Sequence, residues 1–373
     1  MRARAAAAAL ALAGCGGGSD EAPPAAPPAP LGVAYVQHAD GTFDSFLSRF
    51  DPAKLAPQGP RAHVGEFHDA WSFSPDRRQV ALGQGGQGLG IHVYDLERMR
   101  EVRAIRTGIA AEALAWLRPR RAVALLQSAE VVAVDPTTGD VLRRRRPRGV
   151  RAVCFGGSNS AAATRRGLAV LVPVAPRLLL IDAGGRPHAA RLPQGIWRCG
   201  GLAIDAAGDR ALVVSRAALV AEVDLATMRV RAHRVRGLPR SLGSHGAAWL
   251  GDGTLLAARG SSGVWAIDTR TWTSRVLDRR AEAARPAGDV VLAYDGDRLA
   301  LPRGRGTGLA AYEPGGRRRY RVLRGRQVED VQVAGARAYA LAEGTLYGID
   351  VATGRIAGRR GGLTPGTRID LLD

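Results

Sequence analysis

Two histidines stand at matching points of this chain, His68 in "FHDAWSFSP" and His245 in "SHGAAWLGD". Carboxylates are expected in comparable loops: Asp69, Glu112, Asp289, Glu329 and Asp330. Imidazoles and carboxylates that converge on one site hold a divalent metal or a polar ligand. The same groups also serve as plain hydrogen-bond ties between neighbouring elements, so no catalytic residue and no metal ligand is assigned. A third nucleophile, the thiol of Cys15, sits directly after Leu12-Ala13-Gly14. Cys154 and Cys199 are the other two cysteines; a bridge between them is one outcome, and two buried thiols packing as small apolar groups is the other.

The elements that must position these residues announce themselves by repetition. An apolar, strand-like run ends in an acidic residue and a turn at Asp51, Asp95, Asp135, Asp182, Asp224, Asp268, Glu313 and Asp350, in steps of 37 to 47 residues. That period belongs to a four-stranded propeller blade. One unit reads "DAWSFSPD", "RQVALGQ", "GIHVYDL", "EVRAIRTG": four short strands bounded by Pro, Asp and Gly. Aligned this way, Phe73, Trp116, Phe155, Ile204, Trp249, Tyr294 and Val333 take one position in the first strands, where large apolar groups fill the contact between blades. The first unit lacks a first strand, and "TRIDLLD" at the other end is strand-like, so residues 367–372 are expected to complete the first blade. Eight markers predict an all-β, eight-bladed propeller over residues 31–373, closed by N- and C-terminal strands. Seven blades is the alternative, if the unit around Glu313 is irregular.

Residues 1–30 have a different composition. Arg2 and Arg4 precede a short apolar run, Ala5 to Ala13, too short to span a bilayer. Gly16 to Pro30 is rich in Gly, Ser, Ala and Pro, the composition of a tether that cannot offset ordering entropy. The segment Leu12-Ala13-Gly14-Cys15 resembles the lipobox of bacterial lipoproteins. The resemblance implies that residues 1–14 are a signal peptide, that Cys15 carries the lipid, and that residues 15–30 tether the folded part outside the cytoplasm. Gly16 in place of a retention aspartate leans toward the outer membrane if the host has one.

"FSPDRRQVALG", "DPTTGD" and "IDVATGR" resemble the YVTN-type and quinoprotein-like propeller repeats of bacterial exported proteins. These motifs specify a fold rather than a reaction. The Trp-Asp dipeptide of WD40-type repeats is absent, as is the recurring Trp of quinone-docking motifs, which argues against a bound quinone; no cofactor is expected. The segment Gly83 to Gly88 formally matches a dinucleotide fingerprint, but no helix follows it, so it reads as a turn. No HExxH, paired CxxC, EF-hand or G-x-S-x-G pattern occurs.

The net charge is +19, with Lys54 as the one lysine among 53 cationic residues. A GC-rich coding bias and an anionic partner both explain such an excess. Nucleic acid is not the expected partner, because the arginines are spread over all repeats and aromatics are sparse. The run Arg143 to Arg146 is placed in an outermost strand, where charge discourages edge-to-edge aggregation. The function expected is that of a monomeric, membrane-anchored binding or scaffold module without catalysis, whose partner is a protein or envelope polymer. Resemblance to the propeller lipoprotein of outer-membrane assembly supports that role at fold level. The alternative is an oxidoreductase or lactonase-like propeller enzyme with a channel-mouth site at His68, His245 and the neighbouring carboxylates.

Overall fold

The computed structural model describes residues 29–37, 43–65, 67–84, 89–150, 160–172, 176–194, 201–205, 207–214, 218–239, 246–250, 252–259, 262–296, 304–363 and 368–372. These form 32 β-strands in eight four-stranded antiparallel sheets, an eight-bladed propeller. Blade 1 combines β1 (Ala29–Gln37), β2 (Phe43–Phe50) and β3 (Pro57–His63) with β32 (Arg368–Leu372), which supplies the innermost strand. Blades 2 to 8 follow in chain order over residues 67–106, 111–145, 161–191, 201–234, 246–278, 283–322 and 328–360.

The ring closes as the sequence led us to expect. Strand β32 pairs antiparallel with β1, Ala29 opposite Leu372 and Val33 opposite Arg368. Strand β1 begins two residues inside the stretch expected to be tether. Pro30 is tolerated there because the β1–β2 ladder starts only at Leu31, so no partner on that side needs its missing amide hydrogen.

The core is eight separate apolar clusters, one in each seam between neighbouring blades. Between blades 2 and 3, for example, Ala81, Ile91 and Val93 pack on Trp116, Ala122 and Leu126. Between blades 8 and 1, Tyr339 and Leu346 meet Phe50, Leu55 and Ile369. First strands converge toward the axis, and small residues let them approach: "AAAT" in β12 (Ala161–Thr164), "GAAW" in β20 (Gly246–Trp249). The expected large residues lie in first strands at Phe73, Trp116, Ile204, Trp249 and Val333, and each packs in a seam. Phe155 lies outside the described residues.

Tyr294 does not hold that position. The first strand of blade 7 is β24 (Ala283–Ala287), and Tyr294 ends β25 (Val290–Tyr294), the second strand. The segment "AARPA" has no β-branched or aromatic residue and contains Pro286, which hides its strand character. An innermost strand pairs on one side only, so a proline is accommodated on its open edge.

All eight acidic markers fall in turns between third and fourth strands, on one face of the ring. In seven of them the aspartate caps the turn, its Oδ1 accepting backbone amides two to four residues ahead. Asp51 takes those of Ala53 and Lys54 at 2.8 and 2.6 Å, and Asp224 takes those of Ala226 and Thr227 at 2.9 and 2.8 Å. Glu313 is one carbon longer; its carboxylate instead receives the Arg317 and Arg319 guanidinium groups. Each turn also contains one residue at positive φ. In four turns that residue is Leu55, Met99, Met228 or Trp272, with φ between 48° and 56°. These side chains tuck into a seam, so apolar burial offsets the left-handed backbone.

Candidate functional site

The ends of the first strands opposite the acidic turns surround one mouth of the ring, and among the described residues three of these strands carry a bulge there. In β4 (Phe67–Phe73) the register jumps between Phe67 and Trp71, so His68 and Asp69 lie within the bulge rather than before the strand. In β8 (Ala111–Arg118) the register skips Glu112; in β28 (Val328–Ala334) it skips Glu329. A bulge re-aims a side chain out of the pleat, a device common beside binding sites. Strands β4 and β8 are neighbours, so His68, Asp69 and Glu112 share one sector of the mouth, while Glu329 and Asp330 lie on blade 8.

The described carboxylates at this mouth are engaged by the protein itself. Glu112, 5% exposed, accepts a 2.7 Å hydrogen bond from Gln127 Nε2. Asp330 accepts the amides of Val331 at 2.8 Å and Ile369 at 3.2 Å, latching blade 8 to the closing strand. Asp295 receives the amide and hydroxyl of Thr307 and the amide of Val328, joining blades 7 and 8. Glu343 lies 3.6 Å from Arg326 and accepts the Gln327 amide. Among the described residues, no three His, Cys, Asp or Glu side chains gather closely enough to hold a metal ion.

Asp289 belongs elsewhere. It sits in the turn between β24 and β25, on the face of the acidic turns, where it pairs with Arg319. The misplacement follows from the unrecognised strand β24, which shifts every later element of that blade by one. The side chains of His68 and Asp69, and all of Cys15, Cys154, Cys199 and His245, lie outside the described residues.

A buried constellation escaped the sequence altogether. Asp278, at the end of β23 (Thr273–Asp278), accepts the Tyr312 hydroxyl at 2.8 Å and the Arg321 guanidinium, and Arg321 also donates to the carbonyl of Thr307 at 2.8 Å. Burial opposes ionisation of Asp278, but the Arg280 amide, the Tyr312 hydroxyl and the Arg321 charge outweigh it and hold the carboxyl below its usual range. Burial and the adjoining carboxylate push the Tyr312 hydroxyl up. The one signal in the sequence was a lone acid closing a fourth strand in "SRVLDRR".

On the acidic-turn face, blades also clasp one another through turn carbonyls. Arg49 reaches Leu96 O at 3.3 Å, Arg103 reaches Thr137 O at 3.1 Å, Tyr320 reaches Val351 O at 2.8 Å and Arg337 reaches Pro52 O at 2.7 Å. Between blades 5 and 6 the tie is aromatic: His233 stacks on Trp272 with ring centroids 3.7 Å apart.

No protein-family model and no curated protein sequence matches the chain. Solved structures do resemble it. The dihydro-heme d1 dehydrogenase NirN in complex with DHE aligns with a TM-score of 0.65 and 16% identity, over 91% of this chain and 74% of that one. Sqt1 from Saccharomyces cerevisiae aligns at 0.61 and 12%, over 80% and 86%. BamB from Moraxella catarrhalis aligns at 0.58 and 11%, over 86% and 93%. At such identities the likeness is one of fold, and it places this chain among the β-propellers.

Proposed function

We propose that this chain is a lipid-anchored, extracytoplasmic propeller that works as a non-catalytic binding scaffold for a protein or envelope component. The observation that carries the proposal is how the mouth carboxylates are used. Glu112, Asp295, Asp330 and Glu343 hold strands and blades in register, as parts of a rigid frame. A frame of this kind presents its loops in fixed geometry, which lowers the ordering cost of binding a partner. Fold-level likeness to BamB and Sqt1 is compatible with this role.

Two measurements test it. Mass spectrometry of the chain from native membranes should find a diacylglyceryl group on Cys15, and Cys15→Ala should release the protein to the soluble fraction; a soluble, unlipidated wild type refutes the anchor. Metal analysis of the purified protein addresses catalysis. Stoichiometric metal that disappears in both His68→Ala and His245→Ala would overturn the scaffold in favour of a channel-mouth enzyme. One envelope complex co-purifying with a tagged chain would support the scaffold.

A further inference from the structure

Exposed arginines lie on both faces of the ring, but only one edge carries them blade by blade on the outermost strands. On the acidic-turn side several exposed arginines meet carboxylates: Arg120 with Asp135, Arg166 with Asp209, Arg210 with Asp205, Arg317 with Glu313 and Arg319 with Asp289. Arg98, Arg186, Arg229 and Arg355 are exposed there in no ion pair among the described residues. The opposite side is different. There the outermost strands of the blades finish in exposed cations. Arg106, Arg145, Arg191, Arg234 and Arg360 are the last residues of β7 (Arg100–Arg106), β11 (Val141–Arg145), β15 (Pro187–Arg191), β19 (Val230–Arg234) and β31 (Ile356–Arg360). Arg279 follows directly on β23, and Arg324 lies two residues beyond β27 (Arg318–Val322). Blade 1 contributes Arg61 near the end of β3, 4.3 Å from the Phe46 ring centroid.

Every blade therefore places an exposed arginine at the same edge. Among the described residues none of these eight forms an ion pair; on that side Glu112, Asp278, Asp295 and Asp330 are buried, Glu130 is half-buried, and the exposed Glu343 is taken by Arg326. A coding bias raises the number of arginines but gives no reason for one at the same edge of every blade.

We propose that this ring is a docking track for a linear polyanion with repeating phosphate charges, of the chemistry found in phosphodiester polymers of a cell envelope. Arginine matches phosphate with a bidentate fork, and release of counterions rewards each contact. Eight similar cations spread round a rim, rather than gathered in one patch, suit a flexible chain that can engage them in any register. A folded acidic protein would meet only one sector. A flat anionic bilayer would meet the whole ring, but the route of the chain disfavours it. Leu31 lies opposite Arg49, beside the Asp51 turn, so β1 enters the ring from the acidic-turn face. In the anchored arrangement proposed above, on which only this choice between polymer and bilayer rests, the arginine face looks away from the home membrane.

The test uses the full chain carrying Cys15→Ala and long-chain inorganic polyphosphate as the probe, so its outcome does not depend on lipidation. One variant replaces Arg106, Arg145, Arg191 and Arg234 with Gln. A matched control replaces Arg98, Arg186, Arg229 and Arg355, exposed at the acidic turns, and has the same net charge. The ring variant should bind polyphosphate about tenfold or more weakly, with a log–log salt slope shallower by roughly three; the control should change far less. Equal losses in both variants would show a generic charge effect and overturn the proposal, as would absence of binding by the parent chain. Binding to phosphatidylglycerol vesicles without binding to polyphosphate would also overturn it, in favour of a bilayer. If the fourfold variant unfolds, Arg145→Gln and Arg191→Gln singly should each weaken binding about twofold, and no change in either would refute the ring.

Discussion

The seam between blades 6 and 7 and the seam between blades 8 and 1 each use one buried aspartate, in opposite ways. Asp278 meets side chains of the next blade, Tyr312 and Arg321, so charge is matched by charge inside the protein. Asp330 meets the backbone amide of Ile369, a residue of the strand that arrives last. The first arrangement is strong when complete and costly when half-removed. The second secures a strand by its backbone and leaves packing to Ile369, 1% exposed, against Tyr339 and Leu346. The continuous seam thus matches its buried carboxylate with a buried guanidinium, while the closing seam matches its own with a backbone amide beside a ladder and an apolar plug.

The sharpest way to break this contrast is Asp278→Ala, which leaves the Arg321 guanidinium buried without its counter-charge. Urea denaturation should show a loss of about 3–5 kcal/mol. Ile369→Ala empties the plug of the closing seam and should cost about 2–4 kcal/mol, with amide exchange in β1 and β32 rising before that in blades 3 to 6. Leu55→Gly separates strain from burial in the same seam. Relief of the left-handed backbone returns roughly 1 kcal/mol, loss of the buried side chain removes roughly 2–3 kcal/mol, and a net destabilisation of about 1–2 kcal/mol should be measured.

The smallest effect is on pH dependence. Burial disfavours the charged form of Asp135, but the Thr137 hydroxyl and amide and the Arg120 guanidinium prevail and hold its carboxyl down at about 2. A depressed folded value means that its stabilisation is present above the unfolded carboxylate range and is lost as pH falls from about 4 toward 2. The urea midpoint of Asp135→Asn should therefore fall less steeply over that window than that of the wild type. Parallel acid limbs would show that Asp135 does not contribute.

Much of this architecture was legible because its turns are chemically marked. A short acidic side chain after an apolar run is what an amide-capped turn requires, so each of the seven aspartates located a real turn, and Glu313 located the eighth through a different bond. Strand β24 was missed because an innermost edge strand tolerates Ala and Pro, which carry no β signal. The site was less legible for a physical reason. Glu112 and Asp330 were recognised as mouth residues, but their partners lie 15 and 39 residues away, at distances no local pattern encodes. The same holds for Asp278, whose counter-charge Arg321 is 43 residues on.

Pairing Ala29 with Leu372 has a consequence for how the ring is made. Seven blades draw all four strands from one stretch of chain and can assemble as it is synthesised. Blade 1 cannot, because its axial strand is made after every other. Until then β1 offers a bare hydrogen-bonding edge, and the contact that covers it is the one of longest sequence separation, the slowest kind to form. Closure therefore waits on the strand made last, and until β32 docks the open edge of β1 is a place where a second copy of the chain could pair its own β32.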